Sequence, residues 1–238
     1  MSENISHKIS ECDQLRSPEQ VCEPDPRIHL FVVLEDPGTG RFRRRVTKDQ
    51  YEAIACFKLN EGVPDAVAIH FETAKNLYLY AWFVYRFYPV AEQHVLASLE
   101  FSLRERFQEF VAGEKKKHPK AIEPGLKKLL GYAIKEGFVR NENISAREHR
   151  AKTRAKARYS FQKSQEARSA GVDSWIEDDS EIVVTQEDMN YDWLGDFYEI
   201  IPRIRNSYAH GSWHLYPAPV RHTFEMVAEI INQLYPSS

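Results

Sequence analysis

Polar and apolar positions change pattern several times along the chain, and each pattern predicts a different element. Residues 1–26 are polar, carry Pro18, Pro24 and Pro26 and show no period, which predicts a flexible leader. From Ile28 to Leu34 the run I-H-L-F-V-V-L is β-prone, and D-P-G-T-G at Asp36 to Gly40 is turn chemistry with two glycines free to take positive φ. Phe42 to Val46 can pair back as a second strand, so a small hairpin opens the folded part. In T-K-D-Q, Thr47 is a candidate N-cap with Gln50 at the third helical position, as a capping box requires, and a short helix is expected to about Leu59. These elements set a first unit at residues 27–62.

Beyond Pro64 the period becomes helical. An aromatic-rich helix is predicted from about Asp65 to Phe87, stopped near Pro89, and a second from about Val90 to Val111. In the second, Leu96, Leu99, Leu103, Phe107 and Phe110 recur at three- and four-residue steps and form one buried stripe. Pro124 starts a third helix with Leu126, Leu129, Leu130, Ala133 and Ile134 on one face, and Gly137 is placed to cap it. The apolar period returns at Tyr191 in a helix carrying Trp193, Leu194, Phe197, Ile200, Ile201 and Ile204 to about Tyr208. A last helix, Val220 to Leu234, turns Phe224, Val227, Ile230, Ile231 and Leu234 inward. The predicted class is mainly α: an antiparallel helical bundle over 63–238, with the N-terminal β-hairpin attached and a charged insertion at about 139–190.

Charge alters this picture in one place. The 238 residues hold 32 Lys and Arg against 35 Asp and Glu, a formal charge of −3 that argues against a uniformly polybasic nucleic-acid or membrane-surface protein. That total conceals two blocks. Ser145 to Ala170 holds eight basic and two acidic residues, a net of +6; Asp173 to Glu199 holds ten acidic residues and no Lys or Arg. The basic block has alanines but no apolar stripe, which predicts a solvated helix that docks poorly on a core. The longest apolar run, Leu77 to Tyr85, is nine residues, less than half of a bilayer-spanning helix. No apolar segment of signal-peptide type occurs in the first twenty residues, and Cys12, Cys22 and Cys56 are odd in number without metal-ligand spacing. The expectation is a cytoplasmic protein with reduced thiols and no membrane partner.

One stretch reads as more than packing: I-R-N-S-Y-A-H-G-S, Ile204 to Ser212. Arg205 and His210, five residues apart, lie about 140° apart around a regular helix and do not share a face. A helix that ends at Ala209 frees the imidazole from helical placement, so that the long Arg205 side chain can meet it. The stretch resembles the R-x4-H motif of the HEPN superfamily (higher eukaryotes and prokaryotes nucleotide-binding), in which a polar residue, often Asn, follows the Arg. The match is Arg205, Asn206 and His210, followed by the small residues Gly211 and Ser212. More loosely, His94 to Phe107 and Leu126 to Phe138 look like the helices that precede this motif, so the resemblance covers roughly Pro64 to Tyr235 but neither leader nor hairpin.

The resemblance implies a bundle that dimerises and brings two Arg/His sets into one cleft, and a metal-independent endoribonuclease with no cofactor. In that chemistry a ribose 2′-OH attacks the adjacent phosphate, His210 exchanges protons, Arg205 stabilises the phosphorane oxygens and Asn206 orients the His or the phosphate. It also suggests a nucleotidyltransferase-type antitoxin as partner and settings such as toxin–antitoxin pairs or phage defence. The alternative is a non-catalytic interaction or nucleotide-binding module, because Arg and His before a Gly are also what an ordinary helix C-terminus prefers.

Other candidates are secondary. Arg150, Lys152, Arg154, Lys156 and Arg158 could hold RNA phosphates, or form a solvated arm facing the acidic block, which could itself cover the arm or the cleft. His70 and His94 read as half-buried packing residues, while His214 and His222 lie near the motif. The aromatic series from Tyr78 to Tyr88 reads as core or interface before it reads as a base-stacking platform.

Overall fold

The structure is a computed structural model describing residues 9–36, 39–117, 124–144, 147–172, 178–209 and 217–237. Strands β1 (Val32–Asp36) and β2 (Arg41–Arg44) are followed by α1 (Thr47–Ala55), α2 (Asp65–Tyr80), α3 (Phe87–Arg106), α4 (Gln108–Lys117) and α5 (Leu126–Lys135). Then come α6 (Arg147–Ser169), the single turn α7 (Gln186–Met189), α8 (Trp193–Ala209) and α9 (Pro217–Leu234). The protein is mainly helical, with one two-stranded antiparallel sheet among the described residues. No helix among them is long and apolar enough to cross a membrane.

The core is built around α3, which packs on α2, α5, α8 and α9. On α2 the steps Val67, Phe71, Ala74, Tyr78 put one side chain per turn into this core; on α9 Phe224, Val227, Ile231 and Leu234 do the same from the opposite side. Rings close the seam edge to face: Phe71 and Tyr78 each lie 5.9 Å from Phe224, and Tyr78 lies 5.1 Å from Tyr88. Most of the aromatic run from Tyr78 to Tyr88 is therefore core. The α5 stripe of Leu126, Leu129, Leu130 and Ala133 is buried as its period predicts. Gly137 adopts φ +75°, so the Phe138 N–H donates to the Ala133 carbonyl and the Gly137 N–H to Ile134, a Schellman close to α5.

Several boundaries differ from the sequence expectation. The aromatic helix ends at Tyr80, not Phe87, and residues 81–86 form a compact turn before α3 begins. Pro89 stands in the first turn of α3, where its missing N–H has no intrahelical partner to lose; it opens a helix and does not stop one. The expected helix to Val111 breaks at Phe107, whose backbone leaves helical geometry (φ −117°, ψ 40°) while its ring packs on Tyr132 and Phe138 at 5.1 and 5.0 Å. The first strand begins at Val32 because residues Pro26–Leu30 form a 3₁₀ turn that buries Ile28. Gln50 is not the capping partner. Asp49 accepts the Val46 N–H at 2.8 Å, and Gln50 turns inward, fully buried, accepting from Arg45 and the Tyr88 hydroxyl and donating to the Tyr78 carbonyl.

The leader is anchored from residue 9 onward, where the sequence shows no period. Asp25 is fully buried and accepts hydrogen bonds from the Arg27 side chain and from the Tyr85 N–H, while its own N–H donates to the Trp82 carbonyl. Asp13 accepts from both Arg27 and Arg86, whose guanidinium groups hold its carboxyl at about 2. Polar pairing supplies here what hydrophobic periodicity does not, and it locks the N-terminal segment onto the 81–86 turn.

Candidate functional site

The helix that carries the R-x4-H stretch is placed by Leu194, Phe197 and Ile201, buried at three- and four-residue steps against α5 and α3. Continuing that register, Arg205 falls on the flank of the buried face, about 40° round from Ile201, and Asn206 falls about 100° further. The backbone of both lies in the last five residues of α8; their side chains, and the whole of His210, Gly211 and Ser212, lie outside the described residues. Helix α8 is described as far as Ala209 and α9 from Pro217 onward. Pro202 within α8 removes one donor from the helix ladder just before the motif.

The basic block forms α6, and its docking departs from the sequence expectation. Ala151 and Ala155 are fully buried, and Arg150, on the same face, is 5 % exposed. The stripe is real but built of alanines and arginine stems, a pattern that a search for large apolar residues passes over. The Arg150 guanidinium lies 3.1 Å from Glu225 of α9, 3.0 Å from the Met226 sulfur and 5.5 Å from the Trp193 ring. Glu225 is also bonded to His222, and these two neighbours hold its carboxyl below the ordinary range.

Further along α6, the acidic segment lies against the basic one. Arg158 donates to both oxygens of Asp188 at 2.6 and 2.7 Å and to the Val183 carbonyl. Arg154 reaches Glu187 at 3.1 Å and Asp188 at 3.4 Å and covers the Tyr191 ring at 3.7 Å. Lys156 pairs with Asp179 and Lys163 with Glu181, each at 3.0 Å, and Arg147 donates to the Met189 carbonyl. The Asp188 side chain is fully buried, accepts from Thr185 through both N–H and hydroxyl, and is held at about 2 chiefly by Arg158. Of the five cations considered for RNA, Arg150, Arg154, Lys156 and Arg158 thus already face carboxylates. Lys152 is exposed, with no ion partner among the described residues.

Asp188 is the residue that composition alone hides. The spacing Thr185-x-x-Asp188 is a capping-box signature, and it closes the single turn α7 at the point where Arg154 and Arg158 converge. The remaining candidates stay at the margin. His70 and His94 stack at 5.5 Å beside Phe101; His94 is half-buried, and that burial pushes its imidazole below the ordinary histidine range. His214 lies outside the described residues, and His222 pairs with Glu225 at 3.5 Å. Among the described residues no three His, Cys, Asp or Glu side chains form a group that could hold a metal ion. A cavity of about 470 Å³ between α5, residues 139–142 and the first turn of α8 includes Lys135, Arg140, Asp192 and Tyr198. It sits at the opposite end of α8 from Arg205. Comparisons with protein families, with curated proteins and with solved structures yield no match.

Proposed function

We propose that the chain is a HEPN-like, metal-independent endoribonuclease whose reacting groups are Arg205, Asn206 and His210. The observation that carries the reading is the position of Arg205 and Asn206: both lie within α8, whose Leu194, Phe197 and Ile201 are buried in the core. In this reading α8 ends before His210, and a helix C-terminus favours the protonated imidazole, which suits a general acid near neutral pH. The mainly helical architecture and the packing of α8 on α5 and α3 support it further, since the helix that carries Arg205 and Asn206 is seated on the core through Leu194, Phe197 and Ile201.

In the proposed reaction the ribose 2′-oxygen forms a bond to the adjacent phosphorus, and the bond from phosphorus to the leaving 5′-oxygen breaks. One strand is left with a cyclic phosphate and the other with a free 5′-hydroxyl. Protonated His210 gives its proton to the leaving 5′-oxygen, water takes the proton from the 2′-hydroxyl, and Arg205 offers a forked pair of donors to the phosphorane oxygens. A homodimer would set two such groups in one cleft, and a nucleotidyltransferase-type antitoxin is the proposed partner.

The test is incubation with total RNA in EDTA beside His210→Ala. Cyclic-phosphate ends produced by the wild-type protein and lost in the variant are the expected result. Absence of cleavage by the correctly folded wild-type protein rejects catalysis and leaves a non-catalytic interaction or nucleotide-binding module.

A further inference from the structure

A second cavity, also of about 470 Å³, opens between the hairpin, α1 and the start of α9. Its walls come largely from Phe31, Val33, Arg45 and Ala53, in the part of the chain that the R-x4-H resemblance does not cover, and it is closed by Pro217, Ala218 and Arg221 of α9. Volume of this order accommodates a small organic ligand, and the mixture of apolar floor and few charged groups is typical of such sites.

Charge decides which ligand. Four charged side chains line the cavity: Asp49, Glu52, Arg45 and Arg221. Both carboxylates have counter-ions of their own, since Asp49 is held by the two forked nitrogens of Arg43 at 2.7 Å and Glu52 lies 3.6 Å from Lys48. Neither guanidinium group has an ion pair of its own among the described residues; Arg45 only feels the charge of Asp49, and Arg221 that of Glu225, at longer range. Arg45 donates to the neutral Gln50 amide oxygen at 2.9 Å, and its own N–H is tied to the Phe31 carbonyl, which fixes it at the end of the hairpin. Arg221 is exposed and has no carboxylate within salt-bridge distance among the described residues. The cavity therefore presents two cationic forks with open donor positions, beside a floor of Phe31, Val33, Ala53 and Pro217. Forked guanidinium groups match the oxygens of a phosphate, and the floor matches a planar, weakly polar body.

We infer that this cavity binds a phosphate monoester carried on a small planar group, with Arg45 and Arg221 on the phosphate and the planar group against Phe31 and Val33. A free mononucleotide and the phosphorylated end of a short RNA share this chemistry. Binding needs no cleavage, so the inference stands or falls separately from the ribonuclease reading.

Cys56 supplies the readout, because it is exposed and lies on the cavity wall. The rate of its alkylation is followed by peptide mass spectrometry on the full chain, with exposed Cys22 as internal control. AMP is expected to slow alkylation at Cys56 but not at Cys22, saturably, whereas adenosine and inorganic phosphate at equal concentration protect at least tenfold less well. Arg221→Ala, which removes an exposed side chain with no ion pair among the described residues, is expected to weaken AMP protection tenfold or more with an unchanged circular-dichroism spectrum. A 5′-phosphorylated tetranucleotide protecting at lower concentration than AMP assigns the ligand as an RNA end; the reverse order assigns a free nucleotide. Cys56 unprotected by both AMP and the tetranucleotide, or protection equal in wild type and Arg221→Ala, overturns the inference.

Discussion

Replacing Asp188 by Asn tests whether charge is what holds the acidic segment on α6. The substitution keeps size and shape but removes the charge that receives Arg158 at 2.6 and 2.7 Å and lies 3.4 Å from Arg154. It also turns an amide N–H₂ toward groups that are themselves donors, Arg158 and the Thr185 N–H. Asp188 is held at about 2 against an ordinary 3.8, and a difference of that size corresponds to at most about 2.4 kcal/mol. Arg158 is 45 % exposed, so water screens the pair and roughly 1 kcal/mol is the expected share. Because the folded value lies below the unfolded one, this stabilisation is complete above about pH 5 and is lost as pH falls through 4 toward 2. Amide hydrogen exchange in α7 and the first half of α6, corrected for intrinsic rates, reads it directly. At pH 7 the variant is expected to exchange about five to ten times faster in these segments, with α2, α3 and α9 unchanged. At pH 3 the gap between variant and wild type should narrow. Equal protection at pH 7, or a gap that persists undiminished at pH 3, refutes the reasoning.

Two further outcomes follow from the same region. Arg150→Ala leaves Glu225 without its buried partner and empties the space beside Met226 and Trp193; it should cost about 2–4 kcal/mol in urea denaturation, whereas Arg150→Met, which keeps the stem, should cost clearly less. Neutralising the exposed acids in Asp179→Asn, Glu181→Gln, Glu187→Gln removes the carboxylates that Lys156, Lys163 and Arg154 face at 3.0, 3.0 and 3.1 Å. RNA retention on filters at low salt should rise several-fold, and the difference should vanish at high salt. Unchanged retention at low salt would show that the covered face of α6 is not an RNA surface.

How much the sequence discloses depends on which interaction seats each element. Where large apolar side chains repeat, as with Leu126, Leu129, Leu130 and Ala133 or along α9, the helix and its buried face can be read directly. The 81–86 turn could not be, because an unbroken aromatic run states how much will be buried but not in which direction the backbone runs. Gln50 and Asp25 are polar, so periodicity leaves them outside; their burial depends on partners 28 to 60 residues away. The α6 stripe is hidden for a related reason: Arg150 buries a charged side chain whose counter-charge, Glu225, lies 75 positions on. For the candidate site, the string Arg205, Asn206, His210 is legible as a spacing. The convergence that chemistry demands depends on tertiary placement, which no spacing specifies.

The clasp between Asp13 and Arg86 also bears on the order of assembly. Its partners are 73 positions apart, so during synthesis Asp13 waits, already extruded, until the whole of α2 and the following turn have emerged. Joining such distant points is costly in chain entropy, and the cost is met only when Tyr85 and Trp82 are already in place to receive Asp25. The N-terminal segment is thus translated before the helices it joins and fastened late, a seal on the first helical pair and not its nucleus.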